Sequence, residues 1–385
     1  MTRILIQNVR VFDSRVVREP SNVVITRSAG NIQDPMNDGS AADASDIIVD
    51  GQGCTLIPGL IDAYVNIKGA TAAIGAFAAH GVTTVVDLSS NTQQCQALRV
   101  FAAGKTRLPT FLTSGNQAAS ARDYYEPQVN DNPNETVVST AEEAAAFVAS
   151  RATGPERADF IKVAVDVHSP TDALLKALVD AAHAYGKLAV VRTAGKASYA
   201  RAMRAGFDIF AHAPLDEPLD VELAREMAAR DKVVVPTLLM MRNRASGGTG
   251  SPGGIQRDGS GPGAMNRGSY DNAVQSVRVL HGAGVTICAG TTANLEPGAS
   301  IPFGESLHEE MRLLAGAGMP LLDVLRSATC VAATALRLSD RGIVRAGLRA
   351  DLLLVEGNPL EDIGAVRRIR KVWIQGEDVE PEHGR

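Results

Sequence analysis

The feature that most constrains the fold is a repeated alternation of short apolar runs with helical segments. Eight runs of strand length follow one another: TLIPGLIDAYV, VTTVVDLS, LPTFLTS, DFIKVAV, KLAVVRT, FDIFAHA, KVVVPTLLM and GVTICAG. Segments between them, such as STAEEAAAFVASRA and TDALLKALVDAAHAYG, carry apolar residues at helical spacing. Apolar strands that alternate with helices indicate a parallel sheet, and eight such units predict a closed (β/α)8 barrel.

Both ends of the chain show a second kind of strand. RILIQNVRVFD and NVVIT near the N-terminus alternate apolar and polar residues, and DLLLVEGNPL and IRKVWIQGEDV near the C-terminus are again strand-like. A chain of 385 residues is long for one domain. We therefore predict an α/β fold in which a TIM-like barrel is joined to a small satellite domain.

Composition excludes several classes of protein. The formal net charge is −5 and long basic runs are missing, which argues against a nucleic-acid partner. Apolar stretches stay shorter than the ~18 residues of a membrane helix, and the N-terminus MTRILIQNVRVFDSRVV lacks the pattern of a signal peptide. The four cysteines have no CxxC spacing, so neither a zinc knot nor a disulfide framework is indicated. We expect a cytoplasmic protein without a membrane partner.

Three motifs carry a family resemblance. LIPGLIDAYVNIKG (residues 56–69), GVTTVVD and RADLLLV resemble the amidohydrolase superfamily, and IPFGESLHEEMRLLAGAGMPLLDVLRSATCVAATAL is similar to its imidazolonepropionase-like and prolidase-like branch. The resemblance implies a composite β-sandwich domain from residues 1–55 and 340–385, and a barrel from residues 56–339. It also implies a metal site at the carboxyl ends of the barrel strands.

Most metal-binding positions of the family carry other residues here. Where the family has His-x-His after the first strand, this chain has Tyr64 and Asn66, and where a catalytic aspartate follows the eighth strand it has Thr292. The histidine expected at strand five is Arg192. The strand-four lysine and the strand-six histidine are retained, and they are Lys162 and His212.

These replacements argue against a metal cofactor. A catalytic zinc typically needs about three ligands drawn from His, Asp, Glu and Cys. Arg192 would place a permanent positive charge where a dication sits. We therefore predict that the protein works without a cofactor, with zinc as the alternative.

The new residues are all hydrogen-bonding groups, which indicates a pocket equipped for different chemistry. The hypothesis is a metal-independent enzyme that performs isomerase, cyclase, dehydratase or lyase chemistry on a small oxygenated anion or carbonyl compound. A hydrolase of C–N or ester bonds and an inactive binding protein are the alternatives. The predicted catalytic residues are Tyr64, Lys162, His212 and Arg192. The predicted substrate-binding residues are Asn66, Thr292, His168, Tyr124 and Tyr125.

Each candidate also has a structural interpretation. Lys162 could point into solvent or pair with Asp166, and Tyr64 could fill the vacated metal cavity. The Gly/Ser/Pro-rich segment 243–269 could be a lid or a surface insertion. A small-molecule substrate is the expected partner, and homo-oligomerisation stays open.

Overall fold

The structure is a computed structural model that describes residues 3–33, 46–120, 135–154, 157–166, 169–193, 195–247, 268–297 and 299–381. The strands are β1 (Arg3–Phe12), β2 (Val17–Thr26), β3 (Asn31–Gln33), β4 (Ile47–Asp50), β5 (Cys54–Pro58), β6 (Leu60–Val65), β7 (Val82–Asp87), β8 (Thr110–Thr113), β9 (Gln117–Ala119), β10 (Glu135–Val137), β11 (Phe160–Val165), β12 (Leu188–Thr193), β13 (Ile209–Ala211), β14 (Val233–Val235), β15 (Thr286–Ile287), β16 (Leu352–Glu356), β17 (Ile369–Ile374) and β18 (Glu377–Val379). The helices are α1 (Thr71–Ala79), α2 (Thr92–Ala102), α3 (Ala141–Thr153), α4 (Asp172–Ala184), α5 (Lys196–Ala205), α6 (Val221–Ala229), α7 (Leu238–Ala245), α8 (Tyr270–Gly282), α9 (Glu305–Gly316), α10 (Leu321–Ser327) and α11 (Cys330–Ala335), with a 3-10 helix at Ile363–Arg367.

Each of the eight apolar runs contributes one parallel strand to a barrel. Strands β6, β7 and β8 pair in that order, and β11 to β15 pair in chain order. The two groups are joined at both sides. Asp159 N donates to Thr113 O at 2.7 Å, and Ala63 N donates to Ala289 O at 2.9 Å. The predicted fold class, an α/β TIM-like barrel with a β-rich part, is confirmed.

The barrel strands bury two apolar faces. Inward-facing side chains form one cluster that includes Val86, Phe160, Val190 and Ile209. Residues at the alternate positions of the same strands belong to a larger cluster with the surrounding helices. Burial on both faces explains why these strands are almost continuously apolar, because no strand face is left to water.

The β-rich part takes strands from both ends of the chain. Its sheet has the order β18-β17-β16-β5-β1-β2-β3, with β4 paired to β1. β5 lies between β1 and β16, and Trp373 of β17 is fully buried in the apolar cluster beside this sheet. The exact boundaries proposed for the two domains stay a prediction. Within the described ranges, helices long and apolar enough to cross a membrane are absent.

Candidate active site

Tyr64 enters the barrel interior through an irregularity in β6. The register between β6 and β7 shifts between Asp62 and Val65. Such a shift re-aims the side chains beyond it, and both Ala63 and Tyr64 join the interior cluster. Tyr64 is only 2% exposed. The strand therefore delivers a phenol, where the family places a histidine, into the centre of the barrel mouth.

Asp62 fixes the position of this strand end. Its carboxylate accepts hydrogen bonds from Thr291 N at 3.0 Å, from Thr291 Oγ1 at 2.7 Å and from Tyr64 N at 3.3 Å. Burial raises the pKa of Asp62 to about 7, although these hydrogen bonds oppose the rise. Asp62 thus connects β6 to the segment that follows β15. These hydrogen bonds fix the position of the backbone at Tyr64.

Lys162 points into the same space. It lies two residues after Phe160 on β11, so both side chains project from the inner face of the strand. Its Nζ donates to Tyr64 Oη at 2.8 Å and also to the carbonyl oxygen of Leu88. Lys162 is 3% exposed, so the alternative in which it points into solvent is wrong.

The surroundings of Lys162 lower its affinity for a proton. Burial lowers the pKa of Lys162 to about 7, and the positive charge of Arg192 acts in the same direction. The negative charge of Asp87 opposes the shift. Near neutral pH, both the amine and the ammonium form are therefore populated.

His212 stacks on the ring of Tyr64. The ring centroids are 5.1 Å apart and the planes meet at 26°. His212 Nδ1 lies 2.7 Å from Thr237 Oγ1, and that hydroxyl donates its proton to Pro236 O at 2.8 Å. Because a hydroxyl has one proton, His212 Nδ1 must be the donor in this contact, and Nε2 carries the lone pair.

Positive charges surround the imidazole. Burial lowers the pKa of His212 well below its ordinary value, and the charges of Arg244, Arg192 and Lys162 lower it further. The ring is therefore neutral at physiological pH. A neutral imidazole with a free Nε2 can accept a proton or a hydrogen bond.

Arg192 completes the group of predicted catalytic residues. It lies two residues after Val190, an inward-facing residue of β12, and pairs in register with Ala211. Its charge affects the pKa of Tyr64, Lys162 and His212, so the guanidinium lies near all three. The structure thus brings the four predicted catalytic residues to one end of the barrel.

Asn66 and Thr292 lie beside Tyr64. Thr292 N donates to Tyr64 O at 2.7 Å, and Thr292 uses its hydroxyl locally as a donor to Thr291 O. Asn66 is 3% exposed, and its side-chain oxygen finds no hydrogen-bond partner within the described part of the chain. Asn66 therefore has an acceptor available for a ligand, whereas Thr292 mainly shapes the backbone.

His168, Tyr124 and Tyr125 lie outside the described residues. So does 248–267, the larger part of the segment predicted as a lid or a surface insertion. Their roles in substrate binding stay predictions.

The sequence of this chain matches the amidohydrolase family over residues 55–379. The protein belongs to the amidohydrolase family. The match covers the whole barrel and reaches into the C-terminal strands, so it includes every residue of the site described above. A comparison with curated proteins gives no match.

Solved structures show the same fold. A Xaa-Pro dipeptidase with methionine bound in its active site is 24% identical with a TM-score of 0.82, over 98% of this chain and 99% of that one. A prolidase candidate from Bifidobacterium longum is 22% identical with a TM-score of 0.79, over 99% and 96%. Molinate hydrolase is 18% identical with a TM-score of 0.78, over 98% and 95%. At these identities the likeness establishes the fold alone.

The residues present in this amidohydrolase-family site do not fit a divalent metal. Among the described residues, groups of three or more His, Cys, Asp or Glu side chains in ligating positions are absent. The two positions that would be separate ligands, Tyr64 and Lys162, are hydrogen-bonded to each other. Arg192 adds a positive charge nearby. The donor set suits an organic anion better than a cation.

Sequence reasoning missed several residues that shape the site. Asp87, in the GVTTVVD motif, accepts Ile67 N at 3.0 Å and Ser90 N at 3.2 Å, and its charge acts on Lys162. In the sequence, this motif indicates the family. The signal that could have identified Asp87 as a site residue is an aspartate at the end of an apolar strand.

Thr237 and Glu310 were also missed. Glu310 of α9 is fully buried and accepts Leu238 N and Leu239 N, both at 2.8 Å, at the start of α7. This cap lies next to Thr237, which orients His212. Glu310 stands in an amphipathic helix and resembles a surface acid in the sequence, so no local signal could have found it.

Proposed function

We propose that this protein is a metal-independent enzyme of the amidohydrolase family that moves protons on a small anionic carbonyl compound. The observation that carries the proposal is the continuous contact of three side chains. Lys162 is hydrogen-bonded to the Tyr64 phenol, and the Tyr64 ring stacks on a neutral His212. Acid, base and an oxygen-binding donor therefore occupy one buried space.

Tyr64 acts as the acid. Its oxygen accepts a hydrogen bond from Lys162, so its own proton is free to be directed at a substrate oxygen. Burial raises the pKa of Tyr64, while the charge of Arg192 lowers it. The phenol therefore stays protonated at neutral pH, and it can stabilise negative charge that develops on a carbonyl oxygen.

His212 acts as the base. Its Nε2 accepts a proton from the carbon next to the carbonyl while Tyr64 protonates the oxygen, which gives a neutral enol, an imidazolium and a phenolate. The ammonium form of Lys162, with a pKa of about 7, stabilises the phenolate through its hydrogen bond to Tyr64 Oη. In an isomerisation of an unsaturated substrate, His212 returns its proton to a different carbon of the conjugated enol while Tyr64 takes back the proton of the enol oxygen. In an elimination, His212 instead protonates the departing β-substituent, and Tyr64 again recovers its proton from the enol oxygen.

Arg192 provides the affinity for an anion. A guanidinium binds a carboxylate or enolate through two parallel hydrogen bonds. A bound anion also offsets the positive charges that act on His212, so its pKa rises towards the range of an effective base. Substrate binding thus prepares the catalytic base.

The proposal is tested by solvent exchange. Purified protein is incubated in D2O with 2-oxo and 3-oxo acids of three to six carbons, and deuterium incorporation at carbon is followed by NMR. We expect exchange that persists with a chelator and is lost in Tyr64→Phe and Lys162→Met. Equal exchange in wild type and both variants would remove the proposal.

Hydrolysis is the second candidate, and a specific observation favours it. The structural neighbours include a Xaa-Pro dipeptidase and molinate hydrolase. The discriminating experiment offers Xaa-Pro dipeptides in ¹⁸O-labelled water, with and without added zinc. Zinc-dependent release of labelled carboxylate would replace the proton-transfer proposal with a hydrolase.

A further inference from the structure

Helix α7 carries an arginine that the sequence had not indicated. Thr237, the residue before the helix, bonds His212, and Arg244 lies seven residues further along. Arg244 therefore lies in the last turn of α7, about 10 Å from Thr237 along the helix axis. Long side chains in helices lean towards the N-terminus. This tendency directs the Arg244 side chain back along α7, towards the end of the helix at which Thr237 bonds His212.

The electrostatics agree with this placement. After burial, the charge of Arg244 has the largest effect on the pKa of His212, and it lowers that pKa. Burial also lowers the pKa of Arg244, with a further contribution from Arg192. The charges of both guanidinium groups thus act on the same imidazole.

The charge of Arg244 is not compensated within the described part of the protein. Arg242, on the same helix, binds Glu309 at 3.0 Å, whereas Arg244 has no ion pair with a described residue. Two carboxylates of the site, Asp62 and Asp87, both accept hydrogen bonds from backbone N–H groups. The positive charges of Arg244 and Arg192 both act on His212, and a bound anion stabilises such an arrangement.

We propose that Arg244 and Arg192 together bind a second anionic group of the substrate, so that the substrate is a dianion with either a second carboxylate or a phosphate. This inference rests on the proposed function, in which one anionic group is already bound beside the reacting carbonyl. Arg192 then lies between the two groups, and Arg244 selects substrates by charge and length.

The test measures binding and does not need the true substrate. The probes are succinate, inorganic phosphate and acetate, titrated into the full chain by calorimetry at low ionic strength. We expect succinate or phosphate to bind at least about tenfold more tightly than acetate, because a dianion engages both guanidinium groups. The tighter of the two dianions identifies the second group as carboxylate or phosphate.

Variants separate a binding role from a structural one. Arg244→Gln should weaken the preferred dianion about tenfold or more while acetate changes little, because only the second charged contact is lost. The affinity of Arg244→Lys for the preferred dianion should lie between those of wild type and Arg244→Gln. Arg225→Gln, at an exposed position of α6, makes the same change in net charge and should bind like wild type. The melting temperature of Arg244→Gln should be equal to or above that of wild type, since a repulsion is removed.

Two results would overturn the inference. One is the absence of a preference for dianions over acetate, and the other is unchanged dianion binding in Arg244→Gln. Either result, combined with deuterium exchange that depends on Tyr64, would leave the proposed function standing. Dianion binding that depends on Arg244, without any exchange, would retain the binding site and remove the proton-transfer chemistry.

Discussion

Lys162 Nζ lies 2.8 Å from Tyr64 Oη, in a position where the family resemblance implies two metal ligands. The ammonium or amine of Lys162 has two acceptors, the phenol and the carbonyl of Leu88. Carboxylation of this lysine would disrupt both contacts, and its carbamate would need cations for stability. The Lys162–Tyr64 pair is therefore a hydrogen-bonded unit whose contacts form without an ion.

The first prediction concerns metal removal. Treatment with a chelator should leave the melting temperature and the turnover unchanged, because the donor set is too poor to hold a structural or catalytic ion. Elemental analysis of the purified protein should give substoichiometric zinc, and the intact mass should show a free amine on Lys162. Activity that vanishes with the chelator and returns with zinc would contradict this prediction.

The second prediction concerns the stability of Lys162→Met as a function of pH. Burial lowers the pKa of Lys162 from the ordinary lysine value to about 7 in the folded state. Folding therefore opposes protonation of Lys162. The penalty is fully present below pH 7 and fades as pH rises towards the pKa of the unfolded chain.

Lys162→Met should accordingly raise the free energy of unfolding at pH 6 by roughly 1–3 kcal/mol, after allowance for the lost hydrogen bonds. The gain should shrink by pH 9.5. Urea denaturation at both pH values measures it, and Lys176→Met, at an exposed position of α4, serves as the control. A gain that is the same at both pH values would show that the lysine is not destabilised by burial.

The third prediction separates binding from chemistry. Tyr64→Phe should lower kcat with little change in KM, because a proton donor matters chiefly in the transition state. Arg192→Lys keeps the positive charge but loses the planar guanidinium, which donates two parallel hydrogen bonds. We therefore expect kcat/KM to fall roughly tenfold or more. Steady-state kinetics on the substrate found by deuterium exchange decide both. Wild-type constants in both variants would move the active site away from the barrel mouth and favour a binding protein.

The fourth prediction concerns the tautomer of His212. Thr237→Val removes the acceptor at 2.7 Å from Nδ1 while it retains the shape and the β-branching of the side chain. The fixed Nδ1–H tautomer should become a mixture, which nitrogen NMR of labelled histidine detects. Turnover should fall about tenfold, since part of the protein then lacks a free Nε2.

Thr237→Ser is the matched control, because it keeps the hydroxyl and should retain both the tautomer and the rate. Thr237 has a positive φ of 50°, and Ser is compatible with that backbone. A Val variant that keeps the wild-type tautomer would show that the hydroxyl does not orient the ring.

The sequence by itself determined the barrel strands and the strand ends at which the candidate catalytic residues lie. Apolar periodicity is a local property, so the eight runs could be located and their order in a parallel barrel inferred. Counting to the carboxyl end of each strand then placed Lys162, Arg192 and His212 in the mouth. The motifs around Tyr64 also carried enough information for the family.

Only the tertiary structure decided how these side chains meet. The register shift in β6 turns Tyr64 towards Lys162, and that pair is separated by 98 residues in the chain. Glu310 reaches Leu238 across 72 residues, and the role of Arg244 depends on the contact that places the start of α7 at His212. Such contacts depend on burial and packing between distant segments, and neither leaves a periodic trace in the sequence. For that physical reason the sequence identified the site residues, whereas their hydrogen bonds and protonation states required the tertiary structure.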